Sequence, residues 1–215
     1  MLISAAPPNR GSKTRTAYRL FMRESFRTIR VTASVLPSSR FLTMAMLDHV
    51  DFRNRRTLVE LGAGTGVMTQ EILRRMTPDS HLYALEINKN FVRHLRATCQ
   101  DRRLTVLHAD AGELRSQLRQ HNAGMVHAVI SSLGLTGMTA EQRGRIVGEV
   151  EACLGPAGIL TQFQYLTSVA PVPDLPGLQI RPFREKQFLC SYFPTVSEKR
   201  VLLNFPPAKV FTCRK

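Results

Sequence analysis

Tryptophan is missing from this 215-residue chain and acids are scarce, 16 Asp and Glu against 30 Lys and Arg, which leaves a net charge of +14 and a pI near 10.6. That imbalance points to a polyanionic partner, either nucleic acid or an anionic membrane. Cysteine is sparse too. Cys99, Cys153, Cys190 and Cys213 are scattered with no metal-ligand spacing and read as reduced thiols of a cytoplasmic protein. No run approaches the roughly 20 apolar residues of a membrane span. The first ten residues carry no basic region followed by an apolar block, so no signal peptide is expected. No Ser-His-Asp set, metal cluster or internal repeat is present, and His108 and His127 read as structural residues at strand ends. The length suits one domain with a sizeable core.

What is present is a glycine turn in a telling position. Thr57-Leu-Val-Glu-Leu61 reads as a buried strand, followed by Gly62-Ala-Gly-Thr-Gly66 and a helix over about Val67 to Arg75. Gly62, Gly64 and Gly66 permit positive φ and leave no Cβ in the way of a ligand. The helix behind them aims free N–H groups at that space. Glu86, with Ile87 behind it, ends a second strand, where an acid is placed to grip both hydroxyls of a ribose. The turn is Gly-x-Gly-x-Gly preceded by Glu60, not the Gly-x-Gly-x-x-Gly of dinucleotide binders.

Further along, the spacing predicts a strand over about 104–108 ending in Asp110-Ala111, and another over 126–131 ending in Ser131-Ser-Leu-Gly-Leu135. A helix over 140–154 stops at a Gly155-Pro-Ala-Gly158 cap and turn, and a fifth strand follows over about 158–166. Strands alternating with helices imply a parallel, doubly wound sheet. Segments near 178–183 and 208–213 read as a closing antiparallel hairpin. At the front, residues 1–12 are expected to be disordered. A helix over about 13–31 gathers Tyr18, Phe21, Met22, Phe26 and Ile29 on one face, with Arg15, Arg19, Arg23, Arg27 and Arg30 along its flank. That pattern suits an interfacial membrane helix and, equally, an amphipathic helix docked on its own domain. Pro37 ends it, and Ser38 or Ser39 caps a helix over about 40–50.

Several segments together resemble the bacterial phospholipid N-methyltransferases of the Rhodobacter/Agrobacterium type. They are Val35-Leu-Pro-Ser-Ser-Arg40, the strand and glycine turn, Leu85-Glu-Ile-Asn88, Ser131-Ser-Leu133, Gln162-Phe-Gln-Tyr165 and Leu203-Asn-Phe-Pro-Pro-Ala208. Relatives of that family act on ornithine lipids. The resemblance implies a class I, Rossmann-like methyltransferase fold: an α/β protein with a seven-stranded sheet and N-terminal amphipathic helices. Residues 1–46 form the basic membrane-binding segment and 47–215 the cofactor domain. It implies S-adenosyl-L-methionine as cofactor, held by Ser38, Ser39, Glu60, Gly62, Gly64, Gly66, Glu86, Ile87, Asp110, Ala111 and Ser131. Asp110 is expected to meet the adenine amine, with a helix N-cap as its plain alternative. Tyr165 and Ser131 are the catalytic candidates, Tyr165 to hold the headgroup or relay a proton, with ordinary aromatic packing as its alternative.

The implied activity is methylation of phosphatidylethanolamine toward phosphatidylcholine on the inner face of the cytoplasmic membrane, by a peripherally bound protein that needs anionic lipid. Ornithine-lipid N-methylation is the alternative, and rRNA adenine N6-methylation the alternative of another class. No nucleic acid partner is expected, because the tip after residue 131 lacks the Asn/Asp-Pro-Pro-Tyr that holds an adenine amine. Two departures fall on the acceptor side: Leu133-Gly-Leu135 where the family has Leu-Pro-Leu, and Gln164-Tyr165 where it has Thr-Tyr. The oligomeric state stays open.

Overall fold

A computed structural model describes residues 40–54, 56–166 and 183–215. The arginine-flanked helix (Arg15 to Arg30), Ser38 and Ser39 lie outside the described residues. The compact unit runs Ser39–Lys215. Its elements are α1 (Arg40–Leu47), β1 (Thr57–Leu61), α2 (Val67–Arg75), β2 (His81–Glu86), α3 (Lys89–Thr98), β3 (Leu104–His108), α4 (Leu114–Gln120) and β4 (Val126–Ser131), then α5 (Ala140–Cys153), β5 (Leu154–Tyr165), α6 (Glu185–Leu189), β6 (Thr195–Val201) and β7 (Ala208–Arg214).

The seven strands are ordered β3-β2-β1-β4-β5-β7-β6. The first five run parallel, and β7 is inserted antiparallel between β5 and β6. Strand order reverses between β1 and β4, so a crevice opens past their carboxyl ends, where ligands of open α/β sheets bind. Side chains alternate across the pleat. Val59, Val129 and Leu160 face one core with α4, α5 and α6, while Leu58, Ile130 and Ile159 face the other with α1 and α2. Both layers are apolar, and each buried Leu, Ile or Val is worth about 1.5–3 kcal/mol.

Local chemistry fixes the ends. Thr139 and Gln142 form a reciprocal capping box at the start of α5. Arg103 reaches from the start of β3 to the carbonyls of Leu73 and Met76, closing the C-terminal end of α2, while Asp101 pairs with its guanidinium at 2.7 Å. That pairing holds the Asp101 carboxyl down at about 2.

Four expectations shift. The domain boundary falls at 38/39 rather than 46/47, because Met46 and Leu47 are buried in the core and bind α1 to the domain. Gly155–Gly158 is not a turn between helix and strand. β5 begins at Leu154, directly after α5, and the irregularity is absorbed by a register shift against Val126 and Ala128, with Ala157 at φ +58°. The outer hairpin strand is Thr195–Val201, not residues 178–183. Residues 178–182 lie outside the described residues, and Phe183 belongs to the approach to α6. The short helices α4 and α6 were not anticipated.

Candidate active site

The site is built on the turn between β1 and α2. Gly62, Gly64 and Gly66 all have positive φ, +77°, +55° and +89°. At Gly66 the positive φ favours glycine, and an added Cβ would stand 2.4 Å from Leu95 Cδ1, so that side chain would have to shift. At Gly64 the nearest atom to an added Cβ is the Gly62 carbonyl oxygen at 4.0 Å, so the space above the turn is open. The turn is tied to the next strand. Leu85 O accepts the N–H groups of Gly62 at 2.9 Å and Ala63 at 3.3 Å, and Glu86 Oε2 accepts that of Gly64 at 2.9 Å. Glu86 Oε1 accepts Asn88 N–H at 2.7 Å, and Asn88 in turn caps α3. Burial pushes the Glu86 carboxyl above its ordinary range, and the backbone N–H groups of Asn88, Gly64 and Ile87 pull against it. Each carboxylate oxygen keeps a second lone pair for a ligand hydroxyl.

Glu60 is a correction. Alternation along β1 turns it to the same face as Leu58, beneath α2, where it is wholly buried and accepts the Thr69 hydroxyl at 2.6 Å. It supports the turn from below and does not face the crevice. Burial pushes its carboxyl up to about 7, with the charge of Glu86 adding to the rise and the Thr69 hydroxyl opposing it.

Asp110 ends β3. Its Oδ1 accepts Gly112 N–H at 2.7 Å and its Oδ2 meets Arg145 at 3.3 Å, so the capping role named as the alternative to adenine contact is present. Ala111 is buried beside it, and the Ile87 carbonyl lies 3.1 Å from His108 Nε2. Ser131 is buried at the tip of β4, its hydroxyl 3.4 Å from Leu133 N.

The pleat separates the two catalytic candidates. Ser131 shares a face with Val129, whereas Tyr165 shares one with Ile159 and Phe163 and packs edge-on against the Phe163 ring at 5.1 Å between centroids. Burial raises the Tyr165 hydroxyl above its ordinary range, keeping it protonated at neutral pH. What stands with Ser131 instead is a polar group that sequence reasoning missed. Gln162, its ladder partner on β5, donates to Leu133 O at 2.7 Å, and Gln164 donates to Thr136 Oγ1 at 3.1 Å. Glu185, at the start of α6, is buried beside Gln162 and Arg143. A lone Glu within Arg184-Glu-Lys-Gln carries no signal of burial in sequence.

An open glycine cradle, an acid at the next strand tip and an uncapped helix start suit a nucleoside with a charged tail. The comparisons with known proteins agree. The family model described as "Methyltransferase domain" matches residues 58–158. The fold is shared with a Burkholderia thailandensis 1,6-didemethyltoxoflavin-N1-methyltransferase whose structure holds S-adenosylhomocysteine (TM-score 0.65, 15% identity, 99% of this chain and 93% of that one). It is shared also with a precorrin-6y C5,15-methyltransferase from Geobacter metallireducens (TM-score 0.62, 16% identity, 84% and 92%). The chain shares the fold of class I S-adenosylmethionine-dependent methyltransferases. Among curated proteins it is similar to an ornithine lipid N-methyltransferase of Singulisphaera acidiphila, 29% identical over 196 residues, which is 91% of this chain and 94% of that protein.

Proposed function

We propose that the protein methylates the amine of a membrane lipid, with the terminal amine of an ornithine lipid as first acceptor and phosphatidylethanolamine as second. The observation that carries this is the match to the ornithine lipid enzyme over 91% of this chain and 94% of that protein. The sequence reading ranked the two lipids the other way.

The surface supports a lipid acceptor. The β6–β7 loop leaves Leu202, Leu203 and Phe205 exposed at 67%, 73% and 75%. Lys199, Arg200 and Lys209 flank it. It lies beside the carboxyl end of β5, since Tyr165 pairs with Ala208 and Leu166 N–H donates to Pro207 O at 2.8 Å. An exposed apolar tip beside Lys199, Arg200 and Lys209, of which the lysines are paired with Asp48 and Glu198, suits a bilayer surface. It would hold the crevice at the lipid surface as a peripheral contact. Among the described residues no helix is long and apolar enough to cross a membrane.

When bound, S-adenosylmethionine supplies an electrophilic methyl group on a sulfonium. The protein's work is positioning. Gly62, Gly64 and Gly66 keep the cradle open, Glu86 would hold the ribose and Asp110 the adenine, and the β4 tip with Ser131 would present the acceptor. The Tyr165 hydroxyl, neutral at working pH, would donate to an anionic part of the headgroup. The test is lipid analysis of a bacterial host that makes both ornithine lipid and phosphatidylethanolamine and expresses this protein. Methylated ornithine lipid is expected; an unchanged lipid profile with the protein present would overturn the reading.

A further inference from the structure

Glu185 breaks the usual rule for buried charge. It is 2% exposed, and neither carboxyl oxygen accepts a hydrogen bond among the described residues. An acid at the start of a helix ordinarily takes a backbone N–H there. Glu185 does not cap α6, and the preceding Arg184 makes no side-chain cap either. A buried acid is ordinarily paired. The charge of Arg143 reaches Glu185, yet Arg143 turns Nη1 to Met138 O, lays its guanidinium 3.9 Å from the centre of the Phe183 ring and leaves its own Nε without a partner. The neighbouring Gln162 amide spends its N–H groups on the carbonyls of Leu133, at 2.7 Å, and Phe163, at 2.9 Å.

The surroundings say what is wanted there. Its neighbour Gln162 is tied to the loop that follows Ser131, the tip at which this fold presents its methyl acceptor. Around Arg143, whose charge reaches Glu185, the rings of Phe183, Phe188 and Tyr192 pack tilted and edge-on at 5.5 and 5.3 Å between centroids. A buried carboxylate with no hydrogen-bond partner, close to a cluster of aromatic rings, suits an organic cation. We propose that Glu185 is the seat of the acceptor's amino group: its carboxylate binds the lipid ammonium and takes its proton. This rests on the lipid-amine reading above.

The balance is simple. The ammonium gives one proton to the carboxylate, and the freed lone pair forms the N–C bond as the methyl's bond to sulfur breaks and its electron pair stays on sulfur. The carboxylic acid then releases its proton to water. An amine of lysine type has a pKa near 10.4, so about one in a thousand is neutral at pH 7, and a base is needed. Burial pushes the Glu185 carboxyl up to about 8, against the pull of the Arg143 charge, which narrows the gap to the amine. The other ionisable groups whose charges reach the site are Arg143 on α5 and Cys213 on β7. The Cys213 thiol is pushed up to about 12 by burial, with Cys190 and Glu185 adding to the rise, so it stays neutral between pH 6 and pH 9. Glu185 is left to titrate in that window.

The experiment uses full-length wild type, Glu185→Gln and Glu185→Asp. It reads cofactor binding by calorimetry, thermal unfolding against pH, and the pH profile of kcat/KM on liposomes holding ornithine lipid or phosphatidylethanolamine. Glu185→Gln should keep cofactor affinity within about twofold and should not lower Tm at pH 9, because it removes an unpaired charge. Its kcat/KM should fall by roughly a hundredfold or more, the scale of losing a general base, and the inflection near pH 8 should vanish. Glu185→Asp should recover part of the rate and the inflection. A Gln variant with wild-type rate and profile on a lipid that wild type methylates would overturn this inference alone. So would a variant whose lost rate comes with lost cofactor binding and lower Tm, since that is a folding role. A wild type inactive on every lipid amine would remove the functional reading and this inference with it.

Discussion

Replacing Glu86 by Gln tests how the cofactor turn is held. The carboxylate takes two N–H groups through different oxygens, Gly64 at 2.9 Å and Asn88 at 2.7 Å. An amide has one oxygen, so one of these donors must face the new NH2. That removes one hydrogen bond to a charged group, worth about 1.5–3 kcal/mol, and leaves a buried donor unsatisfied at about 1–3 kcal/mol. Relief of the buried charge offsets part of this, since burial works against the Glu86 carboxylate. A net loss of roughly 2–3 kcal/mol in urea unfolding of the cofactor-free protein is therefore expected. S-adenosylhomocysteine affinity should fall further still, because the ribose loses an ionised acceptor. Urea denaturation and isothermal calorimetry at one pH measure the two separately. Stability within about 0.5 kcal/mol of wild type, the range of an ordinary surface substitution, together with unchanged affinity would refute the assignment of Glu86.

Gly66→Ala should destabilise by about 2 kcal/mol or more, because it joins positive φ to a Cβ 2.4 Å from Leu95 Cδ1; a wild-type Tm would show that the turn is free to rearrange. Glu60 has its folded carboxyl pushed up to about 7 from an ordinary 4.5, so the folded state binds the extra proton between these values and stability falls as pH rises through that window. Against Glu60→Gln, wild type should lose on the order of 3 kcal/mol between pH 4.5 and pH 8; parallel stability curves would contradict the burial argument. Changing Leu202, Leu203 and Phe205 to Ser, or Arg19, Arg23 and Arg27 to Glu, should each weaken sedimentation with anionic liposomes, at about 1 kcal/mol per basic residue for the arginines. Undiminished binding of both triple variants would remove the proposed contacts.

The cofactor half of this molecule was legible because its signals are local. A buried strand, three glycines and a helix succeed one another without a gap, and the ends of β1, α2, β3 and β4 fall where the pattern put them. The acceptor half was less so. β6 carries Ser197-Glu198-Lys199-Arg200 on an edge, so its pairing with β7 leaves little hydrophobic pattern to read. Gly155 and Gly158 looked like a turn, yet their small size serves a close approach: an added Cβ at Gly158 would lie 2.7 Å from the Gly155 carbonyl oxygen. Ser131 and Tyr165 were grouped because both sit at strand tips. Counting parity from the β4–β5 register would have separated them and brought Gln162 to Ser131. Glu185 owes its burial to packing of α6 against distant strands, which no local pattern encodes.

The central claim is that the acceptor is a lipid amine. Its most direct test is radiolabelled methyl transfer from S-adenosylmethionine by the purified full chain, run in parallel on liposomes with ornithine lipid, liposomes with phosphatidylethanolamine, and unmodified rRNA. The account predicts label in the lipid amine, ornithine lipid before phosphatidylethanolamine, and none in RNA. Label in RNA with none in either lipid would contradict it.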